Sequence, residues 1–164
     1  MRLPSAVALA CAVLLGCDGV VELLPDSVAE PPSAEDAAML AAVNAHRAAG
    51  RDCGGERHGP APPLVWNGHL AAAAGVHTHD MAVTGRFDHT GSDGSTVGER
   101  VSRTGYAWQR VGENIARGQP SVEAVVADWV ASAGHCANLM NPSFVEFGAA
   151  EQDRYWTQVF ARPR

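Results

Sequence analysis

The 164-residue chain contains no lysine, and all 12 of its basic residues are arginine. We interpret this absence as a coding bias of the source and not as a feature of mechanism. The chain also lacks a basic stripe, since residues 37–164 carry 12 acids against 11 arginines. A nearly neutral domain of this kind argues against a nucleic-acid partner. Its length suits one globular domain, and neither an internal repeat nor a second domain is visible.

The sequence has no apolar run long enough for a membrane-spanning helix, which needs about 20 residues. Its apolar stretch at the N-terminus, Val7 to Leu15, follows a single arginine and is typical of a secretory signal peptide. The stretch closes on "LLGC", which resembles a bacterial lipoprotein box, although Leu15 is bulkier than the usual residue there. We predict a lipoprotein signal peptide at residues 1–16, with an ordinary signal peptide cut nearby as the alternative. The protein is then exported and anchored to the envelope membrane through lipidated Cys17.

An acidic segment follows Cys17. Residues 18–36 hold six acids and no base, together with Pro25, Pro31 and Pro32. This composition buries little apolar surface and repels itself, so residues 17–36 are predicted to form an extended tether. Residues 37–164 are left as the folded domain.

Four helices are predicted from caps and apolar periodicity. A Ser33–Asp36 capping box begins the first helix, and Gly50 ends it. The others are predicted from about Asn67 to Val83, from about Val97 to Thr104, and after the cap Ser121. Three segments are typical of strands. One is "RVGENIA", and the other two are the halves of "VEFGAAEQDRYWTQVFA", which a polar turn joins. Helices mixed with an antiparallel sheet indicate an α+β layered domain.

Three segments combine polar side chains with turn residues. "RFDHTGSDGST" carries His89, "VGENIARG" carries Glu113, and "SAGHCAN" carries His135. Two imidazoles and one carboxylate with an open fourth position are a common catalytic zinc arrangement. His89, Glu113 and His135 are therefore candidate ligands for Zn²⁺ or another divalent cation, although no HExxH spacing supports them. His77 is interpreted as a hydrogen-bonded packing residue, and Arg100 as an ordinary charge partner.

The run "FDHTGSDGST…GY…VGENIARG…VVADWVASAGHCANLMNPSFVEFG…YWTQVF" resembles the CAP superfamily of cysteine-rich secretory, antigen 5 and pathogenesis-related class 1 proteins, especially its bacterial secreted branch. The resemblance implies a three-layer α/β/α sandwich around a mainly antiparallel sheet, with a groove lined by two His and two Glu. His89, Glu113 and His135 match three of these four residues.

The fourth member of the set is missing. Ser132 stands where the resemblance implies the second Glu. Asp128, one helical turn before Ser132, and Glu99, which follows the His89 loop, are the two candidate replacements. A capping-box role with Thr96 is the simpler interpretation of Glu99.

His135 is directly followed by Cys136. Once Cys11 leaves with the signal peptide and Cys17 takes lipid, only Cys53 and Cys136 remain. An exported protein with two remaining thiols usually pairs them, so we favour a disulfide over a reactive thiol. His135 and Cys136 are then expected to have separate roles, one in the groove and one in a covalent link.

Three functions are open at this stage. The first is a domain, predicted to be monomeric, that binds a lipid or another extracellular ligand, as the resemblance suggests. The second is a zinc-dependent hydrolase of extracellular or envelope material, with Glu113 as the best catalytic candidate. The third is a groove whose polar residues form only a structural hydrogen-bonded network.

Overall fold

The computed structural model describes residues 31–164. The predicted signal peptide, Cys17 and most of the acidic tether lie outside this range. The last three residues of the predicted tether, 34–36, form the first turn of a helix. The folded domain therefore begins slightly before the expected boundary at residue 37.

Five helices lie within the described range. Three of them match the predicted ones to within about one residue at each end, the fourth begins at its predicted cap Ser121, and the fifth was not predicted. Their bounds are α1 Ala34–Ala49, α2 Gly68–Thr84, α3 Val97–Arg103, α4 Val122–Ala131 and α5 Ala133–Met140.

Local capping explains why the first three helices begin where predicted. Ser33 accepts a hydrogen bond from the backbone of Asp36, whose carboxylate accepts one in return. Thr96 and Glu99 form the same reciprocal pair at α3, which confirms the capping role of Glu99. Asn67 accepts from two backbone N–H groups at the start of α2. Each cap satisfies donors that have no partner inside the helix.

The strands form two sheets. Their bounds are β1 Arg51–Cys53, β2 Glu56–His58, β3 Val65–Trp66, β4 Trp108–Arg117, β5 Glu146–Gln152 and β6 Tyr155–Pro163. β1 and β2 form a small hairpin, whereas the main sheet has the order β3-β5-β6-β4. Only β3 pairs in parallel, with β5, so the predicted mainly antiparallel sheet is confirmed. The predicted polar turn joins β5 and β6, with positive φ at Asp153 and Arg154.

The main sheet separates two apolar cores, which makes the domain the predicted three-layer α/β/α sandwich. Side chains of β6 alternate between the layers: Phe160 joins the core under α1, α4 and α5, whereas Val159 joins the core under α2 and α3. Glu113 lies opposite Val159 in the register of β4 and β6. Glu113 therefore projects toward the α2/α3 layer, and its neighbour Asn114 toward the other.

Gly148 on β5 marks the closest approach between the sheet and α2. A Cβ atom at this position would lie 2.1 Å from the backbone nitrogen of Ala71 and 2.4 Å from the carbonyl carbon of Leu70. Neither atom belongs to a flexible side chain, so only glycine lets α2 rest directly on β5.

Residues 133–140, for which no secondary structure was predicted, form α5. The extended backbone of Ser132 separates α4 from α5. Cys136, Leu139 and Met140 are buried at spacings of three and four, which is the periodicity of a helix face. Buried Arg47 holds the end of this helix, because its guanidinium donates to the carbonyls of Leu139 and Asn141 at 2.7 and 3.0 Å.

The predicted disulfide between Cys53 and Cys136 is confirmed. It joins the end of β1 to the middle of α5, across 83 residues of sequence, with the two Cα atoms 5.4 Å apart. Cys136 is fully buried. The disulfide therefore fixes the helix that carries His135.

Candidate functional site

Glu113 is the centre of a charged network in the middle of β4. Its Oε1 accepts a hydrogen bond from Nδ1 of His89 at 2.7 Å, and its Oε2 accepts one from the guanidinium of Arg100 at 2.7 Å. The side chains of Glu113 and Arg100 are each only 2% exposed, whereas that of His89 is 58% exposed. The carboxylate is thus buried and neutralised, and it orients an imidazole whose other nitrogen, Nε2, is left for solvent or a ligand.

Arg100 connects three elements of the site. Besides Glu113, its guanidinium donates to the backbone carbonyls of Ser95 at 2.7 Å and His89 at 3.1 Å. Arg100 is a charge partner, as expected, but it is a buried one, and it locks the His89 loop onto β4. Charge-assisted hydrogen bonds of this kind are about twice as strong as neutral ones.

His77 on α2 lies behind the network. It is completely buried, as expected for a packing residue, and its Nε2 is 3.8 Å from Oε1 of Glu113. Its expected hydrogen bonding stays a prediction. Burial lowers the pKa of His77, and the neighbouring Glu113 carboxylate opposes this effect only in part.

His135 approaches β4 from the opposite layer of the sandwich. Two asparagines attach α5 to β4: Asn114 donates to the carbonyl of His135 at 3.2 Å, and Asn138 donates to the carbonyl of Glu113 at 3.1 Å. The imidazole itself is half-buried. Burial lowers its pKa, as does the nearby His89 ring. The two predicted imidazoles therefore lie near each other at one edge of the sheet, with Glu113 behind His89.

A cleft of about 480 Å³ opens beside His135, between β4 and α4. We call it the β4–α4 cleft. Phe87, Ile115 and Trp129 supply apolar surface, and Phe87 is 47% exposed. The polar lining consists of His135, Ser132, Asp128, Gln119 and Arg117.

Ser132 and Asp128 both line the β4–α4 cleft. Ser132 occupies the position where the resemblance implies a second Glu, and its backbone caps both α4 and α5. Asp128 brings a carboxylate to the same cleft, and its Oδ2 accepts a hydrogen bond from Gln119 at 2.8 Å. Asp128 is therefore the acidic residue that this cleft offers, whereas Glu99 is occupied as a helix cap.

The three predicted metal ligands do not make a three-ligand metal site in this arrangement. Both oxygens of Glu113 already accept hydrogen bonds. One of the donors is a guanidinium, whose positive charge would repel a cation bound at the same oxygen. Within residues 31–164, no three His, Cys, Asp or Glu side chains are grouped so as to hold an ion. Glu113 is therefore not available as a third ligand beside His89 and His135, and no chemical step is assigned to a metal ion here.

The pKa values of the two imidazoles are expected to shift in opposite directions. The hydrogen bond from His89 to Glu113 raises the pKa of His89 above its usual 6.5, whereas burial lowers that of His135 below the same value. The stability that the His89–Glu113 pair contributes is then fully present below pH 6.5 and is lost as pH rises through the raised pKa. A pH titration of the ring protons by NMR measures both midpoints. Equal midpoints, or a reversed order, would contradict this electrostatic description.

Sequence reasoning missed two residues of the network. His77 lies on the buried face of α2. Its spacing predicts that it packs in the core but does not identify the residue that it contacts. Arg100 precedes Glu113 by 13 residues on a short helix, with no local pattern that links the two. Both come to Glu113 through long-range packing, so only the folded structure identifies them.

The comparisons agree with this architecture. Residues 40–160 match the family described as the cysteine-rich secretory protein family, CAP. The chain belongs to this family. YkwD of Bacillus subtilis (strain 168), described as an uncharacterized protein, is 34% identical over 100 residues, which are 60% of this chain and 39% of that protein.

Two solved structures show the same fold. An extracellular protein containing an SCP domain from Bacillus anthracis str. Ames is 29% identical, with a TM-score of 0.70 over 78% of this chain and 40% of that one. An outer surface protein from Borrelia burgdorferi is 19% identical, with a TM-score of 0.58 over 63% of this chain and 80% of that one. The second likeness concerns the fold alone.

The chain spans about two-fifths or less of the length of the curated relatives that it matches. Both solved neighbours are described as extracellular or surface proteins. None of the helices in residues 31–164 combines the length and the apolar character that crossing a bilayer requires.

Proposed function

We propose that this protein is an exported, envelope-anchored binding domain that holds a small amphipathic ligand in the β4–α4 cleft. The observation that carries the proposal is the combination of exposed Phe87 with His135, Ser132 and Asp128 around one opening of about 480 Å³. Apolar walls with a few convergent polar groups are the usual composition of a small-molecule site.

The charges of the cleft favour an uncharged, hydroxyl-bearing lipid head group. Asp128 and Arg117 carry opposite charges, so the lining has no net charge, and the carboxylate of Asp128 accepts hydrogen bonds from hydroxyls. His135 is favoured in its neutral form because its pKa is lowered, so it adds one acceptor and one donor. A monoacylglycerol combines such a head group with an apolar chain that can contact Phe87.

Binding is favoured over the hydrolase alternative by the state of Glu113. A general base must reach the proton that it removes, at about 2.6–3.2 Å or through one water. Glu113 already accepts from His89 and Arg100, and its side chain is 2% exposed. These contacts suit a residue that positions His89, whereas proton transfer would require one of them to break.

The test is a titration of the purified full chain with a fluorescent monoacylglycerol. We expect saturable binding that Phe87→Ser weakens about ten-fold, because the substitution removes apolar contact area. Val65→Ser serves as the matched control, since it also removes an exposed apolar side chain but does not line the cleft. Equal effects of the two substitutions, or no saturable binding, would reject the cleft as the lipid site.

Anchoring is tested separately from ligand binding. The acidic segment after Cys17 supplies a tether between a lipidated cysteine and the domain. Expression in a bacterial host should place the unaltered chain in the membrane fraction and Cys17→Ser in the soluble exported fraction. Cys11→Ser, in the predicted signal peptide, is the control and should remain with the membrane. Membrane association that survives Cys17→Ser would contradict lipid anchoring at this residue.

A further inference from the structure

A second cleft lies between α2 and the loop at residues 91–95. We call it the α2–loop cleft. It encloses about 440 Å³, and residues of the β4–α4 cleft do not line it. The family resemblance assigns no role to it, and the proposed lipid site does not involve it.

One face of α2 forms a wall of this cleft, and along it apolar and charged side chains alternate. Val76, Asp80 and Val83 follow one another at spacings of four and three, which places them on the same side of the helix. Val76 is 59% exposed and Val83 is 68% exposed. The wall therefore presents a carboxylate between two exposed apolar side chains.

Asp80 is held in a fixed orientation. The backbone N–H of Ser92 donates to Oδ2 at 2.8 Å, and the Ser92 hydroxyl donates to Oδ1. These hydrogen bonds lower the pKa of Asp80, so the carboxylate is ionised at neutral pH. Two carboxylate oxygens offer about four acceptor positions, and Ser92 uses two of them. The Asp80 carboxylate can therefore accept further hydrogen bonds while Ser92 holds it in place.

The charge of Asp80 is not neutralised by a neighbour. Arg100, at the base of the cleft, is paired with Glu113 at 2.7 Å, and Asp93, at the rim, is paired with Arg103 at 2.6 Å. Asp80 makes no salt bridge within residues 31–164. The α2–loop cleft thus carries one net negative charge, which favours a cationic ligand.

Two buried side chains, His77 and Arg100, form the floor of the cleft. His77 is fully buried, and its Nε2 lies 3.8 Å from Oε1 of Glu113, so the charged network lies directly beneath the cleft. This floor distinguishes the cleft from an acidic patch on the surface.

We propose that the α2–loop cleft binds an alkylammonium group, with the ammonium against Asp80 above His77 and the hydrocarbon stem along Val76 and Val83. The ammonium supplies three N–H donors to a site that offers acceptors, and the stem covers the exposed apolar side chains. A free amine and the side chain of a lysine in a partner peptide share this chemistry.

The experiment is an NMR titration of the full chain with n-pentylammonium, and with 1-pentanol as the uncharged match. We expect saturable shifts confined to α2 and residues 91–95 with the ammonium, and much weaker binding of the alcohol. Asp80→Asn should reduce the affinity for the ammonium about ten-fold, whereas the exposed Asp153→Asn, in the turn between β5 and β6, should leave it unchanged. Raising the salt concentration should also weaken binding.

Val83→Ser provides a second variant, since it removes one apolar wall without touching the Ser92 contacts, and should weaken binding several-fold. N-acetyl-lysine methylamide forms a further arm. If it binds as well as the free amine, a lysine side chain is the source; if only the free amine binds, the ligand is a small molecule. Absence of saturable shifts, or binding that neither Asp80→Asn nor Val83→Ser weakens, would overturn the proposal. Phe87→Ser should leave the ammonium affinity unchanged, so failure here and failure of the lipid site are distinguishable.

Discussion

Replacing Glu113 with glutamine is expected to lower the free energy of unfolding by about 3 to 5 kcal/mol, because the change leaves the buried guanidinium of Arg100 without its counter-charge. The substitution keeps the size of the side chain, so a cavity does not contribute to the loss. Arg100 would retain its bonds to the carbonyls of Ser95 and His89, but neither carbonyl carries a full charge. Urea unfolding at neutral pH measures the difference.

Asp93→Asn is the matched control for this experiment. It also removes the acidic partner of an arginine, Arg103, but both side chains of that pair are more than half exposed. Water screens such a pair and compensates for its loss, so a much smaller change is expected. If the two substitutions cost the same, Glu113 is not the buried and neutralised centre that its contacts indicate.

Replacing both Cys53 and Cys136 with serine is expected to lower the free energy of unfolding by about 4 kcal/mol. The disulfide closes a loop of 83 residues, and the unfolded chain gains entropy when that constraint is removed. Both cysteines are replaced together, because a single substitution would leave a free thiol. Urea unfolding of the oxidised protein and of the variant gives the difference directly.

A reductant supplies the internal control for the disulfide. It should lower the stability of the unaltered protein toward that of the double variant, and it should leave the double variant unchanged. Amide exchange should also accelerate in α5, since β1 would no longer hold it. A double variant within about 1 kcal/mol of the unaltered protein would show that the loop constraint contributes little.

The helix ends were predictable because their determinants are local. Ser33 with Asp36 and Thr96 with Glu99 are capping boxes in which both partners stand three residues apart, so the sequence alone contains the whole interaction. The turn at Asp153 is likewise set by neighbouring residues. These features do not depend on what the rest of the chain does.

Short elements that depend on tertiary contacts were not predicted. β1, β2 and β3 have three residues or fewer, which is too short for a readable alternation. α5 has eight residues, and its buried face consists of only three of them, Cys136, Leu139 and Met140. This is too few to give a clear helical period in the sequence. Its position depends on Arg47 and on the disulfide, and both act across more than 80 residues.

The candidate site was predictable in part for the same reason. His89, Glu113 and His135 stand next to turn residues and match the family motifs, so each could be singled out. The residues that contact them, and so determine their roles, could not be predicted in this way. Arg100 converts Glu113 from a potential ligand or base into a neutralised anchor, and only the packing of α3 against β4 brings the two together.

A double-mutant cycle between Glu113 and Arg100 tests most directly whether these residues form one buried ion pair beneath His89. The cycle compares the free energies of unfolding of Glu113→Gln, Arg100→Met, the double variant and the unaltered protein. We predict a coupling energy of about 2 kcal/mol or more, with the double variant more stable than the sum of the single losses implies. Losses that add to within about 0.5 kcal/mol would contradict the ion pair, and with it the role of Glu113 in positioning His89.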